Sequence, residues 1–208
     1  PKDFVLLVRQ HLELVFVSSG LAILCAVPLG IMATRPRFRK LRWFIINFAN
    51  VGQTIPSLAV IGLTVSYLGL GFKTAVFALW FYSLLPILRN TVAGIESIDP
   101  FILDAGRGIG MKPSQILWRL ELPNALYAIM AGIRTSVVIN VGSAALAFVV
   151  GGGGLGDLIF TGIVLYDAGL MLAGAIPTTL LAVVIDSLLG VAERALTPKG
   201  LQRSVNPL

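Results

Sequence analysis

The sequence has 208 residues, of which 56% are hydrophobic and only 12% are charged, and its mean hydropathy is +0.89. A soluble domain carries about twice that fraction of charged residues, so the composition indicates an integral membrane protein. A net charge of +6 would favour nucleic-acid binding in a soluble protein, but membrane proteins concentrate Lys and Arg in cytosolic loops. We therefore expect contact with lipid and none with nucleic acid. The single cysteine, Cys25, excludes an internal disulfide, and no cluster of metal ligands is visible.

Five apolar runs follow one another along the chain, at residues 14–33, 43–72, 74–88, 125–150 and 168–185. A helix of about 20 residues crosses the hydrocarbon layer of a bilayer, and lipid offers backbone polar groups no partner. We therefore predict an all-α integral membrane protein, a single transmembrane domain over residues 1–208 with about five transmembrane helices. Residues 4–15 have the pattern of a short amphipathic lead-in to the first span, with His11 at the membrane interface.

The distribution of basic residues predicts the orientation of the spans. Thirteen of the 16 Lys and Arg residues fall in segments 35–42, 89–134 and 194–203, which a five-span topology places on one side. The other side receives Lys2, Arg9 and Lys73. Because positive residues accumulate on the cytosolic side, we expect the N-terminus outside and the C-terminus in the cytosol.

The long cytosolic segment 99–123, called the bracket below, has the signals of two short helices. Asp99 can cap the first helix with Pro100 at its first position, and Gly108 and Gly110 can end it. Lys112-Pro113 begins the second helix, and Leu122-Pro123 ends it and begins the fourth span. Ile116, Leu117 and Leu120 give the second helix an apolar stripe. Such a face either docks a partner or packs against the protein's own helices, and the pattern leaves both open.

The bracket resembles the "EAA" loop of permease subunits from binding-protein-dependent ABC importers. That motif reads Glu-Ala-Ala, three residues, Gly, nine residues, Ile, one residue, Leu-Pro. The sequence matches its spacing, with Asp104 standing for Glu and Gly106 for the second Ala. In the family this loop is a coupling helix that seats in a groove of the ATPase subunit. The resemblance implies ATPase-coupling roles for Asp104, Ala105, Gly106, Gly110, Met111, Leu120, Leu122 and Pro123.

Four further stretches, at residues 26–31, 53–58, 130–135 and 151–159, resemble the osmoprotectant branch of that superfamily. The branch carries glycine betaine, carnitine, choline and related compatible solutes, and some relatives carry other small zwitterions, such as an amino acid or a thiol compound. The resemblance implies a transport subunit in a prokaryotic cytoplasmic membrane that catalyses no covalent chemistry and binds no cofactor. ATP and Mg²⁺ would be bound by separate ATPase subunits. The other expected partners are a second permease copy or paralogue and an extracytoplasmic solute-binding protein.

Two other functional classes fit the sequence less well. A secondary transporter driven by ions would have internal repeats and a charged relay within its spans, and an intramembrane enzyme would need convergent titratable groups. Asp157, Asp167 and Asp186 all lie near predicted span ends. The glycine run at 151–154 has no following Lys and falls on the outer side, so it does not predict a phosphate-binding loop. We expect it to form a flexible outer turn.

Two sets of polar residues are candidates for the solute path. The first, Gln53, Thr54 and Ser57, surrounds Pro56, which frees a backbone carbonyl. The second, Ser136, Asn140 and Ser143, falls on one helix face. Both sets have an alternative interpretation as hydrogen bonds between helices. Arg134 either faces protein or water within the membrane or extends to the cytosolic interface.

Overall fold

The computed structural model describes residues 3–52 and 54–196, apart from the side chains of residues 39–41 and 49–51. Gln53 of the first candidate set lies outside the described residues, as do Lys2, Lys199 and Arg203 of the charge distribution. All regular elements within the described ranges are helical. The α-helices are α1 (Phe4–Ala33), α2 (Arg39–Gly52), α3 (Ser57–Leu68), α4 (Phe72–Glu96), α5 (Pro100–Gly108), α6 (Pro113–Ile116), α7 (Leu122–Ser143), α8 (Gly156–Leu165) and α9 (Ala168–Leu196). A π-helical segment (Leu117–Glu121) joins α6 to α7, and a 3₁₀ segment (Ala144–Val150) follows α7.

Four helices in the described part are long and apolar enough to cross a membrane, namely Phe4–Ala33, Phe72–Glu96, Pro113–Val150 and Ala168–Leu196. The first begins at Asp3, whose carboxylate accepts a hydrogen bond from the Val5 amide at 3.1 Å. The predicted lead-in at residues 4–15 is therefore not a separate element but the first turns of α1. Its 30 residues extend about 45 Å, more than the hydrocarbon layer requires.

The second predicted run, residues 43–72, is divided between α2 and α3 rather than forming one helix. Pro56 stands immediately before α3, where its missing amide hydrogen costs no helical hydrogen bond. The two helices have 14 and 12 residues, so each is too short to cross a membrane alone. Proline in the middle of an apolar run thus decides the break, and the second predicted span is two short helices rather than one long one.

The core lies where α1, α4 and α7 pack together. Its fully buried side chains include Leu14, Ala22, Ile87 and Val141. Two glycines allow α4 and α7 to approach closely. A Cβ atom on Gly94 would lie 2.7 Å from the Ala128 Cβ atom, and one on Gly132 would lie 2.5 Å from the Asn90 Cβ atom. Small residues at helix contacts are typical of membrane proteins, where packing rather than water exclusion holds helices together. The last span, α9, packs on α7 and α8 at the edge of this core.

The glycine-rich turn at residues 151–155 packs against α1, at the end of the molecule opposite the bracket. Gly153 and Gly154 have φ values of 78° and 89°, and the Gly154 amide donates a hydrogen bond to the Gln10 side-chain oxygen at 3.2 Å. His11 is fully buried beside Gly154, with its Nε2 atom 3.0 Å from the Val141 carbonyl oxygen. The prediction of an interfacial His11 is therefore wrong, because glycines without a Cβ atom let the turn close over α1.

Candidate functional site

The first helix of the bracket begins and ends where the sequence predicts. An Asp99 carboxylate oxygen accepts a hydrogen bond from the Phe101 amide at 2.9 Å, and Pro100 occupies the first helical position. The helix ends at Gly108, and Gly110 has a φ of 82°, in the left-handed region that favours glycine. The Met111 amide then donates to the Gly106 carbonyl oxygen at 3.0 Å, which closes the helix end.

The second helix of the bracket begins as predicted but does not end at Leu122-Pro123. The Lys112 amide donates to the Gln115 side-chain oxygen at 2.8 Å, and α6 starts at Pro113. The helix then widens into the π segment and continues into α7, so that residues 113–150 form one unbroken run. Pro123 lacks the amide hydrogen that an uninterrupted α-helix would use there. The wider pairing just before it avoids a break. The Asn124 side chain donates to the Leu120 carbonyl oxygen at 2.7 Å.

The residues of the motif divide between the interior and the surface of the bracket. Gly106 is buried, and a Cβ atom there would lie 2.6 Å from the Leu120 Cδ1 atom and 3.4 Å from the Met111 sulfur. These three residues therefore face each other where α5 crosses the second helix. Asp104, Ala105 and Gly110 are exposed, whereas Leu122 and Pro123 are half-buried at the start of α7.

The most exposed apolar side chains of the bracket are not among the residues that the motif assigns to ATPase coupling. Phe101, Ile109 and Trp118 are 82%, 80% and 70% exposed. Ile116 of the predicted stripe is buried instead, with Leu117 and Leu120 half-buried. These three large apolar side chains are therefore candidates for contact with a partner. The sequence signal for Phe101, Ile109 and Trp118 is an apolar residue on the face of a short helix opposite its buried stripe.

Charged side chains surround this apolar face. Asp104 accepts a hydrogen bond from Arg107 at 2.7 Å, with both side chains about two-thirds exposed. Lys112 and Arg119 are also exposed. Because exposed ion pairs contribute little to stability, these charges are available to a partner at small cost to the fold.

Two members of the second candidate set for the solute path, Ser136 and Asn140, form hydrogen bonds to neighbouring helices. Ser136 donates to the Ser83 carbonyl oxygen at 2.7 Å, which joins α7 to α4. Asn140 donates to the Ser18 and Ser19 hydroxyl oxygens at 2.7 and 2.8 Å, which joins α7 to α1. Ser136 and Asn140 are buried, so in this conformation they form hydrogen bonds between helices rather than an open path.

Ser57 of the first set and Ser143 of the second line the same narrow cleft between α3, α4 and α7. Tyr82 lines it too, and its hydroxyl group is buried without a hydrogen-bond partner. Thr54 is exposed beside Pro56. The cleft therefore brings together one member of each candidate set, Ser57 and Ser143.

Arg134 forms an ion pair with an acidic residue of α9. Its Nε and Nη2 atoms donate to the two Asp186 carboxylate oxygens at 2.5 and 2.7 Å, and its Nη1 atom lies 3.5 Å from a Glu193 carboxylate oxygen. Gly190 leaves room for the guanidinium group, since a Cβ atom there would lie 3.3 Å from the Arg134 Cζ atom. Arg134 therefore faces protein carboxylates, the first of the two alternatives. Asp186 and Glu193, seven residues apart on one helix, were not selected from the sequence.

Among the described residues, no group of three or more His, Cys, Asp or Glu side chains is arranged to hold a metal ion.

At the bracket end, Arg35 binds Glu121 and Arg42 binds Glu96. These two ion pairs place the basic segment after α1 beside the bracket.

The comparisons with known proteins agree with this architecture. The family described as "Binding-protein-dependent transport system inner membrane component" matches residues 26–198. The chain belongs to this family. It is 48% identical over 194 residues to the choline transport system permease protein OpuBB of Bacillus subtilis, covering 93% of this chain and 88% of that protein. It is 42% identical to the osmoprotectant import permease protein OsmY of Salmonella typhimurium, covering 94% and 83%.

Solved structures of ABC importers share the fold. An inward-facing structure of the MetNI methionine ABC transporter superposes with a TM-score of 0.83 at 25% identity, covering 94% of this chain and 96% of that chain. A crystal structure of an amino acid ABC transporter superposes with a TM-score of 0.76 at 19% identity, which supports the fold alone. The chain is thus a multi-pass inner-membrane permease subunit of an ABC importer with the predicted all-α fold.

Proposed function

We propose that this permease subunit imports a small quaternary ammonium or zwitterionic compatible solute, such as glycine betaine, choline or carnitine. The observation that carries the proposal is high identity over almost the whole chain to permeases named for these solutes. In this proposal the subunit works with a second permease copy or paralogue and an extracytoplasmic solute-binding protein. It catalyses no covalent step itself.

The bracket is the proposed docking element for the ATPase subunit, which binds ATP and Mg²⁺. Phe101, Ile109 and Trp118 present about 70–80% of their surfaces to solvent, although each is large and apolar. A partner with an apolar groove would remove this surface from water, and aromatic side chains often supply most of the energy of such contacts. Gly106, Met111 and Leu120 then act indirectly, by holding the two short helices in contact.

The proposed orientation places the bracket and the C-terminus in the cytosol and the N-terminus outside. The ion pairs from Arg35 and Arg42 support it, because they place the basic segment 35–42 at the bracket end. Lys and Arg accumulate on the cytosolic side of membrane proteins. A cysteine at Arg37 or Gln115 should then be protected from an impermeant thiol reagent outside, and a cysteine at the exposed Tyr166 should react.

The solute path remains a proposal for Thr54, Ser57 and Ser143 and for Gln53, which lies outside the described residues. Ser57 and Ser143 meet in the cleft with Tyr82, and this shared position supports them. Ser136 and Asn140 are proposed to join the path only in a conformation that separates α7 from α1 and α4. Their hydroxyl and amide groups would then exchange helix contacts for solute or water.

A second candidate solute is an amino acid, because a methionine transporter shares the fold over 94% of this chain. The experiment that separates the two is uptake by proteoliposomes that hold the permease, its ATPase and its binding protein. Glycine betaine, choline, carnitine, methionine and histidine are each offered alone as the labelled solute, and the two amino acids are also added as competitors. ATP-dependent accumulation of a quaternary ammonium solute that neither amino acid inhibits is the expected result. Accumulation of an amino acid alone would overturn the proposed solute and leave the permease assignment intact.

A further inference from the structure

An ion pair joins the end of α1 to the last turn of the bracket, just before α7. Arg35 lies two residues after the end of α1, and both its Nη atoms donate to the Glu121 carboxylate, one at 3.0 Å and the other closer. Its Nε atom also donates to the Ile31 carbonyl oxygen at 3.3 Å. All three nitrogen atoms of the guanidinium group are therefore engaged, which fixes its plane and direction.

This pair differs from the other ion pair at the same end of the molecule. The Glu121 side chain is only 9% exposed, whereas the Glu96 side chain that binds Arg42 is 35% exposed. Arg42 binds Glu96 through a single hydrogen bond of 2.8 Å. The Arg35 side chain is 31% exposed, so only the carboxylate of the pair is buried. A two-pronged ion pair with a buried carboxylate is directional, whereas an exposed single contact exchanges readily with water. The Arg35–Glu121 pair can therefore be tested with the Arg42–Glu96 pair as its control.

Glu121 occupies a special position in its helix. It is the last residue of the π segment through which the bracket continues into α7. Short π segments inside α-helices often lie at functional positions, since they offset the helix locally. The helix is otherwise continuous from Pro113 to Val150, so a displacement of the bracket passes directly along α7.

The remaining side-chain hydrogen bonds between α1 and α7, in the part of the chain that the structure describes, lie far from the bracket. They join His11 to Val141, and Ser18 and Ser19 to Asn140. Ser18 and Arg35 are about 25 Å apart along the chain at the rise of an α-helix. Near the bracket, α1 instead packs on α4, where a Cβ atom on Gly30 would lie 2.7 Å from the Thr91 side chain.

We propose that the Arg35–Glu121 ion pair is a positioning joint that passes movements of the bracket to α1 during the transport cycle. The inference rests on the proposed function, in which an ATPase moves the bracket. Without the pair, the ATPase still docks and moves α7, but the bracket end of α1 no longer follows. Hydrolysis then continues with less solute moved per ATP. The pair touches neither ATP nor solute, and its role is mechanical.

The test measures solute transported per ATP hydrolysed in the reconstituted complex, together with the ATPase retained per folded permease. Glu121→Gln keeps the shape of the side chain and removes its charge. We expect normal ATPase retention and a fall in transport per ATP of at least about fivefold, the lower end of typical coupling energies between sites. Exchange of the two charges, Arg35→Glu with Glu121→Arg, is expected to restore most of the ratio. The matched control, Glu96→Gln, should leave the ratio unchanged.

Three results would overturn the proposed role of the Arg35–Glu121 pair. They are an unchanged ratio in Glu121→Gln, an equal fall in Glu96→Gln, and a loss confined to the amount of folded complex. If Glu121→Gln does not fold, Arg35→Lys carries the test, since lysine keeps the charge but not the two-pronged geometry. It should lower the ratio, and an unchanged ratio contradicts the proposal. Failure of the parent complex to retain an ATPase or to transport any solute would instead contradict the proposed function.

Discussion

The bracket and the core of α1, α4 and α7 encode their structures in different ways. In the bracket, the hydrogen bonds that begin its two short helices join residues close in sequence, Asp99 with Phe101 and Lys112 with Gln115. In the core, Ser136 binds a residue 53 positions away and Asn140 binds residues more than 120 positions away. Local signals therefore predict the bracket, whereas the partners of core residues depend on how the spans come together. The following substitutions test this difference, beginning with the largest expected effect.

A methyl group at Gly156 should be the most damaging of these changes, because backbone atoms of the preceding 3₁₀ segment occupy the place of its side chain. A Cβ atom there would lie 1.9 Å from the Ala145 carbonyl oxygen, so α8 and the 3₁₀ segment would have to separate. We expect Gly156→Ala to cost about 3 kcal/mol or more. Thermal unfolding of the purified protein in detergent measures the effect.

The matched control is Gly142→Ala, in α7, where no atom lies within 4 Å of the added Cβ atom. Alanine is a better helix former than glycine, so the control should be neutral or slightly stabilising. Equal unfolding temperatures for the two variants would show that the close contact at Gly156 is absent from the protein.

A change at Gly110 tests the bracket through backbone conformation alone. Its φ is 82°, and no atom lies within 4 Å of an added Cβ atom, so the strain comes from the chain itself. We expect Gly110→Val to cost about 1–2 kcal/mol locally and to weaken ATPase binding, while the spans remain folded. Co-purification of the ATPase, normalised to folded permease, is the measurement.

Gly108→Ala serves as the control for Gly110, because Gly108 lies within α5 and also has open space around it. It should bind the ATPase as the parent does. If Gly110→Val unfolds the whole protein, strain in the bracket is not confined to the bracket. That result would contradict the difference between bracket and core described above.

The smallest effect is expected at Asn140. Asn140→Leu removes two hydrogen bonds between α7 and α1. It should lower the free energy of unfolding by about 1 kcal/mol, since a hydrogen bond between membrane helices contributes about 0.6 kcal/mol on average. Ile139→Val, at an exposed neighbour on α7, is the control. A change in solute preference without a change in stability would place Asn140 in the solute path rather than among the contacts between helices.

The sequence predicted features governed by single residues and missed those governed by meetings between helices. The caps at Asp99 and the left-handed position of Gly110 follow from the chemistry of those residues. The burial of His11, by contrast, requires the glycine turn that is more than 140 positions further along the chain. Arg134 attracted attention as an intramembrane charge, but its partner Asp186 could not be chosen among several carboxylates near span ends. The exposed face of the bracket was missed for a related reason, since only the packed structure shows which stripe is covered.

The central claim is that Phe101, Ile109 and Trp118 form the surface that docks the ATPase. The most direct measurement is the amount of ATPase retained per folded permease in Phe101→Ser with Trp118→Ser. The control is Tyr166→Ser, a change at an even more exposed aromatic residue at the opposite end of the molecule. We predict a loss of at least about tenfold in the bracket variant, or about 1.4 kcal/mol, and none in the control. Normal retention in the bracket variant would contradict the account.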